Sequence, residues 1–430
     1  MTPAARAAAA IEVLADIDAR RRPAADAMKD WGLAHRFAGS GDRAAISSLV
    51  YDALRRKSSS AWIMQEASPR AEVLGALRQT RGLDVEAIAA LFSGEGHAPA
   101  TLTEAESARL AAADLSGAPP HVAGDFPEWL APQFEASFGA FAAVEGRALA
   151  ERAPLDLRVN LLKATRDKAL AALSYLAPEP TPFSPVGLRI AMRPDGRAPP
   201  LASDPAYVKG LVEVQDEGSQ LGALLAEARA GMQVLDLCAG AGGKTLALAA
   251  AMANQGQIYA ADDDARRIAP IFARLARSGA RNVQVRAPRG REDVLADLEG
   301  RCDLVMIDAP CTGSGAWRRN PDGKWRIRPG ALEQRIKDQD ETLENALRFV
   351  KRGGRIVYIT CSVLRAENED RIAEFMARHD ELVPIDGGVQ ARAAGLPALA
   401  EYRSAFGPGF RLSPRTTGTD GFYIATLARM

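Results

Sequence analysis

The chain has 430 residues, with 54 basic and 54 acidic side chains and a formal net charge of zero. With 47% hydrophobic and 25% charged residues it is a folding chain long enough for two or three domains, which excludes a disordered or low-complexity protein. Charge balance removes the argument for nucleic acid from overall charge and leaves it to local clusters.

Four cysteines, Cys238, Cys302, Cys311 and Cys361, form no C-x-x-C pair and stand beside only four histidines. Neither a disulfide framework nor a metal site is expected. Residues 1–22 carry Glu12, Asp16 and Asp18 where a secretory signal needs an uncharged apolar core, and no run is long enough to span a bilayer. A cytoplasmic protein without a membrane partner is the expectation.

In chain order, residues 1–145 are predicted to be an all-α domain. Ile11, Leu14 and Ile17, then Ile46, Leu49, Val50, Leu54 and Ile63, recur at helical spacing, with Gly39-Ser-Gly41, Ser68-Pro69 and Gly94-Glu-Gly96 as breaks. Arg20, Arg21, Arg22, Arg43, Arg55, Arg56 and Lys57 make its first half basic, either as solvated helix faces or as an RNA-docking surface. One short helix is predicted over 132–150. Residues 150–210 read as a small α+β insert, with strands over 155–162 and 186–192 and a helix over 169–176. Prolines at 178, 180, 182, 185, 194, 199 and 200 forbid long helices there.

From residue 211 to 430 strands and helices alternate. Strands are predicted over 234–237, 257–261, 283–286, 304–307 and 355–360, and helices over 245–252, 266–277 and 332–350. The pattern implies a Rossmann-like α/β domain with a mostly parallel sheet covered on both faces. Ligands bind such sheets at the carboxyl ends of the strands, where strand order reverses. Every chemical motif below falls at such an end.

The first strand runs into Cys238-Ala-Gly-Ala-Gly-Gly-Lys-Thr245. A P-loop would need glycine at Cys238, and a dinucleotide fingerprint would need glycine at Thr245. An S-adenosylmethionine loop needs an acid on the strand, a glycine turn and an acid ending the next strand. Asp236, the glycines and Asp262 supply all three, with Asp262 suited to the ribose hydroxyls.

Two cysteines, in Asp308-Ala-Pro-Cys311-Thr-Gly313 and Thr360-Cys361-Ser362, end strands on that same rim. A thiolate adding to carbon 6 of cytosine makes carbon 5 nucleophilic, and later elimination restores the ring. Asp308 could hold ring nitrogen 3 of the adduct. An amino-group methyltransferase needs no thiol and favours an aromatic after its Pro-Pro, which is lacking here.

These motifs resemble the Sun-type RNA cytosine-5 methyltransferases, which include the bacterial 16S rRNA enzymes. The resemblance runs from Arg158 to Tyr423. It covers Arg158-Val-Asn-Leu-Leu-Lys163, Val214-Gln-Asp-Glu-Gly-Ser-Gln220, the loop from Asp236 to Thr245, Asp262, Asp308-Ala-Pro-Cys311, Arg319-Asn-Pro-Asp322, Thr360-Cys361-Ser362 and Asp420-Gly-Phe-Tyr423. It implies a class I methyltransferase domain, with Cys361 as nucleophile, Cys311 assisting product release, and Lys244 and Asp308 at the target base. It further implies that Cys238, Ala239, Gly240, Ala241, Gly242, Gly243, Lys244, Asp262 and Asp308 line the S-adenosylmethionine site. The chain departs from the family at Gly240-Ala241, which should loosen the loop. It departs again at Pro288, near the usual adenine-binding acid; Asp293 falls late for that role. The N-terminal helices resemble the NusB-like RNA-binding domain, on helical pattern and on Arg36-Phe-Ala-Gly-Ser-Gly-Asp-Arg-Ala-Ala-Ile46.

The stretch from Trp317 to Arg328 interleaves cations with two tryptophans, which suits phosphates and unstacked bases, or else a capping loop with core tryptophans. The partner expected is small-subunit rRNA. Two other readings stay open: an RNA-binding ribosome-assembly factor that no longer turns over, and a tRNA cytosine-5 methyltransferase.

Overall fold

The structure, a computed structural model, describes residues 1–192, 199–290 and 292–430; Pro194 of the proline run lies outside them. The chain forms two compact units. One holds Met1–Arg152 together with Trp317–Arg328; the other holds Ala153–Met192, the described residues up to Ala316, and Pro329–Met430. Among the described residues no helix is long and apolar enough to cross a membrane.

The first unit is helical. Thr2 opens helix Pro3–Arg20 by accepting the Ala5 N–H at 3.1 Å, with proline in the first turn where no donor is needed. Ala7, Ala10, Leu14 and Ile17 of that helix pack with Ile46, Val50 and Leu54 of helix Ser40–Arg55 in one core. The single helix expected over 132–150 is two, Ala131–Phe138 and Ala142–Leu149. They are separated at Gly139, whose φ of 53° ends the first.

Trp317–Arg328 joins this unit, and of the two readings of its tryptophans the packing favours the capping loop. Trp317 is buried and stacks on Phe134 with ring centroids 5.8 Å apart. The Trp325 indole N–H donates to the Leu54 carbonyl at 2.6 Å. Lys324 is fully buried and donates to the carbonyls of Arg55 at 3.0 Å and Asp125 at 2.6 Å. Much of the basic first half is likewise committed internally. Arg55 donates to the carbonyls of Glu151 and Arg318, Arg56 pairs with Asp125 and Glu151, and Lys57 pairs with Asp18 and Glu72.

Burial lowers Lys324 from its ordinary 10.5 to about 7, so between those values the unfolded chain binds more protons than the folded one. Stability contributed at this site therefore rises from pH 7 to pH 10. The expected result is a thermal midpoint that climbs with pH more steeply in the parent chain than in Lys324→Met; parallel midpoints would contradict it.

The second unit contains two sheets. The small one is antiparallel, from β1 (Leu155–Val159), β2 (Glu179–Pro180), β3 (Gly187–Ile190) and β4 (Val212–Val214) in the order β2-β3-β1-β4. Leu157, Val159, Leu188, Ile190 and Val212 bury one face against helix Arg166–Ala172.

The large sheet comprises β5 (Gln233–Asp236), β6 (Gln257–Ala261), β7 (Val283–Arg286), β8 (Cys302–Asp308), β9 (Val350–Thr360), β10 (Leu382–Pro384), β11 (Phe410–Leu412) and β12 (Phe422–Arg429). Its order is β10-β12-β9-β8-β5-β6-β7, with β11 also on β12. β5 to β9 are parallel. β12 is antiparallel to β9, a pairing the alternating pattern did not announce. Order reverses between β5 and β8, and there their carboxyl ends diverge. The helix expected over 266–277 is broken at Pro270 into Ala265–Ile268 and Ile271–Ser278, since proline removes a helical donor.

Candidate active site

β5 delivers Asp236, wholly buried, whose Oδ2 accepts the Thr245 hydroxyl at 2.6 Å. Its Oδ1 has no partner among the described residues, and burial pushes the carboxyl up to about 7. The loop that follows is tied down at each step. Ala239 N–H donates to the Ala261 carbonyl at 2.8 Å, Gly240 N–H to Asp262 Oδ2 at 2.9 Å, and Gly242 N–H to the Ala239 carbonyl at 2.8 Å. Arg274 Nη1 donates to the Ala241 carbonyl at 2.9 Å. The departure at Gly240-Ala241 is thus met by four hydrogen bonds, so the loop is anchored where loosening was expected. Gly242 has a φ of 82° and caps helix Gly243–Ala251.

Asp262 lines a cavity of about 480 Å³ with Leu237, Cys238, Pro288 and Asp293. Besides Gly240, the carboxylate of Asp262 holds Arg267, with Nη2 at 2.8 Å from Oδ1. Asp293 does reach this cavity, although its carboxylate is already taken by Arg348 at 2.7 Å and by the Leu295 N–H at 3.1 Å. Lys244 leaves the loop for Asp308, with Nζ 2.6 Å from Oδ2, and lies over the Phe422 ring at 5.5 Å. The two residues expected at one base are therefore an ion pair, with the lysine buried and the aspartate 37% exposed.

The sulfurs of Cys311, after β8, and Cys361, at the end of β9, lie 3.4 Å apart, within reach of a thiol–thiolate hydrogen bond. That hydrogen bond and burial, with the charges of Cys361 and Glu367, push the Cys311 thiol well above its ordinary value. The other cysteines are excluded as thiolates. Burial raises Cys302 to about 12 within β8, and burial beside Asp236 raises Cys238 well above the usual range.

Other motif residues support this rim. Arg158, buried, donates to Gln215 Oε1 at 2.6 Å and to the Gly243 carbonyl at 3.4 Å. Asp216 accepts the Asp420 N–H at 3.1 Å, and Gly421 N–H donates to the Gly315 carbonyl at 2.9 Å. A Cβ at Gly315 would lie 2.1 Å from the Gly421 oxygen, so both must be glycine for the Cys311 loop to close on β12. Glu367, Gln339 and Asn368 carried no motif signal; Glu367 and Gln339 join the two cysteine loops, and Asn368 holds the residues on either side of Cys361. Among the described residues no cluster of His, Cys, Asp or Glu could hold a metal.

A Rossmann-like sheet with an acid-glycine-acid loop and a strand-end rim of this kind is the fold of the S-adenosylmethionine-dependent methyltransferases. Residues 223–428 match the model of the 16S rRNA methyltransferase RsmB/F family, and residues 126–195 match the ferredoxin-like domain of RsmF/B-like methyltransferases. The chain belongs to the RsmB/F family.

Among its relatives is ribosomal RNA small subunit methyltransferase B of Photorhabdus laumondii, 32% identical over 306 residues, 70% of this chain and 66% of that protein. The protein of the same name from Sodalis glossinidius is 33% identical over 70% of this chain and 65% of its own length. The matched stretch thus spans just under two thirds of these relatives. Among solved structures, PH0851 superposes with a TM-score of 0.72 at 24% identity, covering 100% of both chains. NSun6 from Pyrococcus horikoshii with SFG gives 0.61 at 22% identity, over 71% of this chain and 98% of that one. These likenesses carry the fold alone.

Proposed function

We propose that the protein methylates carbon 5 of a cytosine in 16S rRNA through a covalent Cys361 adduct. The observation that carries this reading is the pair of thiols 3.4 Å apart at adjacent strand ends, on the rim that holds the glycine loop. A thiol that donates to its neighbour's sulfur favours the nucleophilic form there.

S-adenosylmethionine supplies an electrophilic methyl group beside this rim. The buried, unpartnered Oδ1 of Asp236 suits a cationic group of that cofactor, and Asp262 faces the cavity with a carboxylate able to accept ribose hydroxyls. Cys361 adds to carbon 6, nitrogen 3 takes up a proton from solvent, and the Asp308 carboxylate, oriented by Lys244, accepts the nitrogen 3 N–H of the adduct. After methylation a base removes the carbon-5 proton, Cys361 leaves, and Cys311 assists that release. The target base must leave its stack to reach Cys361, so an unpaired or loop cytosine is the substrate.

RNA as substrate draws support from the relatives' printed names and from the helical unit. There Arg21 and Arg328 have no acidic partner among the described residues, and both line a cavity of about 380 Å³ beside Trp325. The double change Arg21→Ala/Arg328→Ala is expected to weaken RNA binding and lower the slope of log affinity against log salt by about 1.4–1.8. Filter binding across a salt series checks it, and an unchanged slope would contradict a phosphate role.

Bisulfite sequencing of 16S rRNA incubated with the protein and S-adenosylmethionine tests the function. One protected cytosine is expected. RNA binding without methyl incorporation would favour the assembly-factor reading, and protection confined to tRNA would favour the tRNA enzyme.

A further inference from the structure

Glu367 lies six residues beyond Cys361, at the end of a 3₁₀ turn Arg365–Glu367, and is wholly buried. A buried carboxylate needs a donor for each lone pair it turns inward, and its donors here come from both cysteine loops. From the Cys311 loop, the Thr312 N–H reaches Oε1 at 2.7 Å and the Thr312 hydroxyl reaches Oε2 at 2.6 Å. From the Cys361 loop, the Ser362 hydroxyl donates to Oε2. Gln339 of helix Pro329–Phe349 donates to Oε1 at 3.1 Å and to the Pro310 carbonyl at 2.9 Å.

Ser362 is committed to donating. Its oxygen already accepts the Leu364 N–H at 3.1 Å and faces Ser314 Oγ at 3.0 Å, while Ser314 accepts the Val363 N–H at 3.0 Å. Burial raises this carboxyl above its ordinary value, and the four converging donors counter that shift, since they match an ionised carboxylate, which only accepts. The residue that follows each cysteine is thereby bound to one carboxylate.

We propose that Glu367 is the positioning residue of the thiol pair: it fixes the Cys311 loop to the Cys361 loop and sets a negative charge beside Cys311, so that Cys361 is the thiol that attacks. This rests on the covalent cytosine-5 reading and adds to it the reason two adjacent thiols take different roles. The charged and titratable groups of the neighbouring elements include Tyr358 in β9, Tyr423 in β12, Arg365 with Asp370, Arg371 with its partners Asp340 and Glu374, Arg411 with Glu369, and the Lys244–Asp308 pair. Arg371 and Lys244 are each already paired with carboxylates, and Tyr358 gives its hydroxyl proton to the Glu367 carbonyl at 2.7 Å. Glu367 is the acid whose carboxylate is bonded into both thiol loops.

The test is the pH dependence of the initial rate of iodoacetamide alkylation at Cys311 and at Cys361, read by peptide mass spectrometry on the full chain. In the parent protein the Cys311 midpoint should lie above the ordinary thiol range. In Glu367→Gln, which keeps the shape and removes the charge, the Cys311 midpoint should fall by about one pH unit or more. A Cys311 midpoint at or below that of Cys361 in the parent protein overturns the proposal and needs no variant to fold. An unchanged Cys311 midpoint in a folded Glu367→Gln chain overturns it as well. Failure of the parent protein to form any adduct with 5-fluorocytosine RNA would instead remove the covalent reading, a result independent of the alkylation midpoints.

Discussion

Cys361→Ala is expected to abolish methyl incorporation, while Cys311→Ala accumulates a protein–RNA adduct that survives a denaturing gel. Loss of a covalent nucleophile removes on the order of 10⁴-fold or more of rate, because no neighbouring group can replace the bond it makes. Cys311 cannot substitute. Even without the Cys361 hydrogen bond, burial and the charge of Glu367 push its thiol up, and it stands on a loop closed against β12 by the Gly315–Gly421 contact. Without Cys311, addition by Cys361 still proceeds and release slows, so the adduct persists. Tritiated methyl transfer and gel mobility with labelled rRNA read the two outcomes. Activity retained in Cys361→Ala, or no adduct in Cys311→Ala, would reverse the assignment.

Gly242→Val is expected to remove cofactor binding while RNA binding stays. A side chain at φ of 82° costs about 1–2 kcal/mol, and its Cβ would lie 2.5 Å from Ile271 Cγ1, adding about 1–3 kcal/mol of overpacking. Both penalties fall on the loop rather than on the sheet, so the loop moves and the hydrogen bonds of Gly240 and Ala241 are lost with it. Loss of about 100-fold in affinity, roughly 2.7 kcal/mol, is the calorimetric expectation. Gly243→Ala is the control: its Cβ meets nothing closer than 3.7 Å, so near-parental binding should remain. Equal losses in both variants would show that glycine content, and not the backbone conformation at Gly242, governs the site.

The parallel strands β5, β6, β8 and β9 were legible because each carries an apolar run that leads to a chemically distinctive residue: Asp236, Asp262, Asp308 or Cys361. Periodicity could not announce β12, whose antiparallel pairing depends on where a long C-terminal stretch returns. Trp317–Arg328 left two readings open because cations interleaved with indoles look alike on an RNA surface and in a core. What distinguishes them is the backbone carbonyls of Arg55 and Asp125 waiting for Lys324, more than 190 residues away in sequence. Basic residues 55–57 misled for the same reason, since their acidic partners lie at Asp18, Glu72, Asp125 and Glu151. Glu367 was invisible because its meaning depends on Thr312, 55 residues upstream. Strand-end motifs carry the chemistry in local sequence, whereas the groups that align them are set by tertiary packing.

The central claim is that Cys361 bonds to cytosine carbon 6 with Cys311 as its protonated neighbour. The most direct measurement incubates the protein and S-adenosylmethionine with 16S rRNA containing 5-fluorocytosine, whose carbon-5 fluorine cannot leave as a proton. The adduct is then digested and the modified peptide sequenced by tandem mass spectrometry. The account predicts one cross-linked nucleotide on Cys361. A cross-link on Cys311, or none under conditions where methylation of ordinary rRNA proceeds, would contradict it.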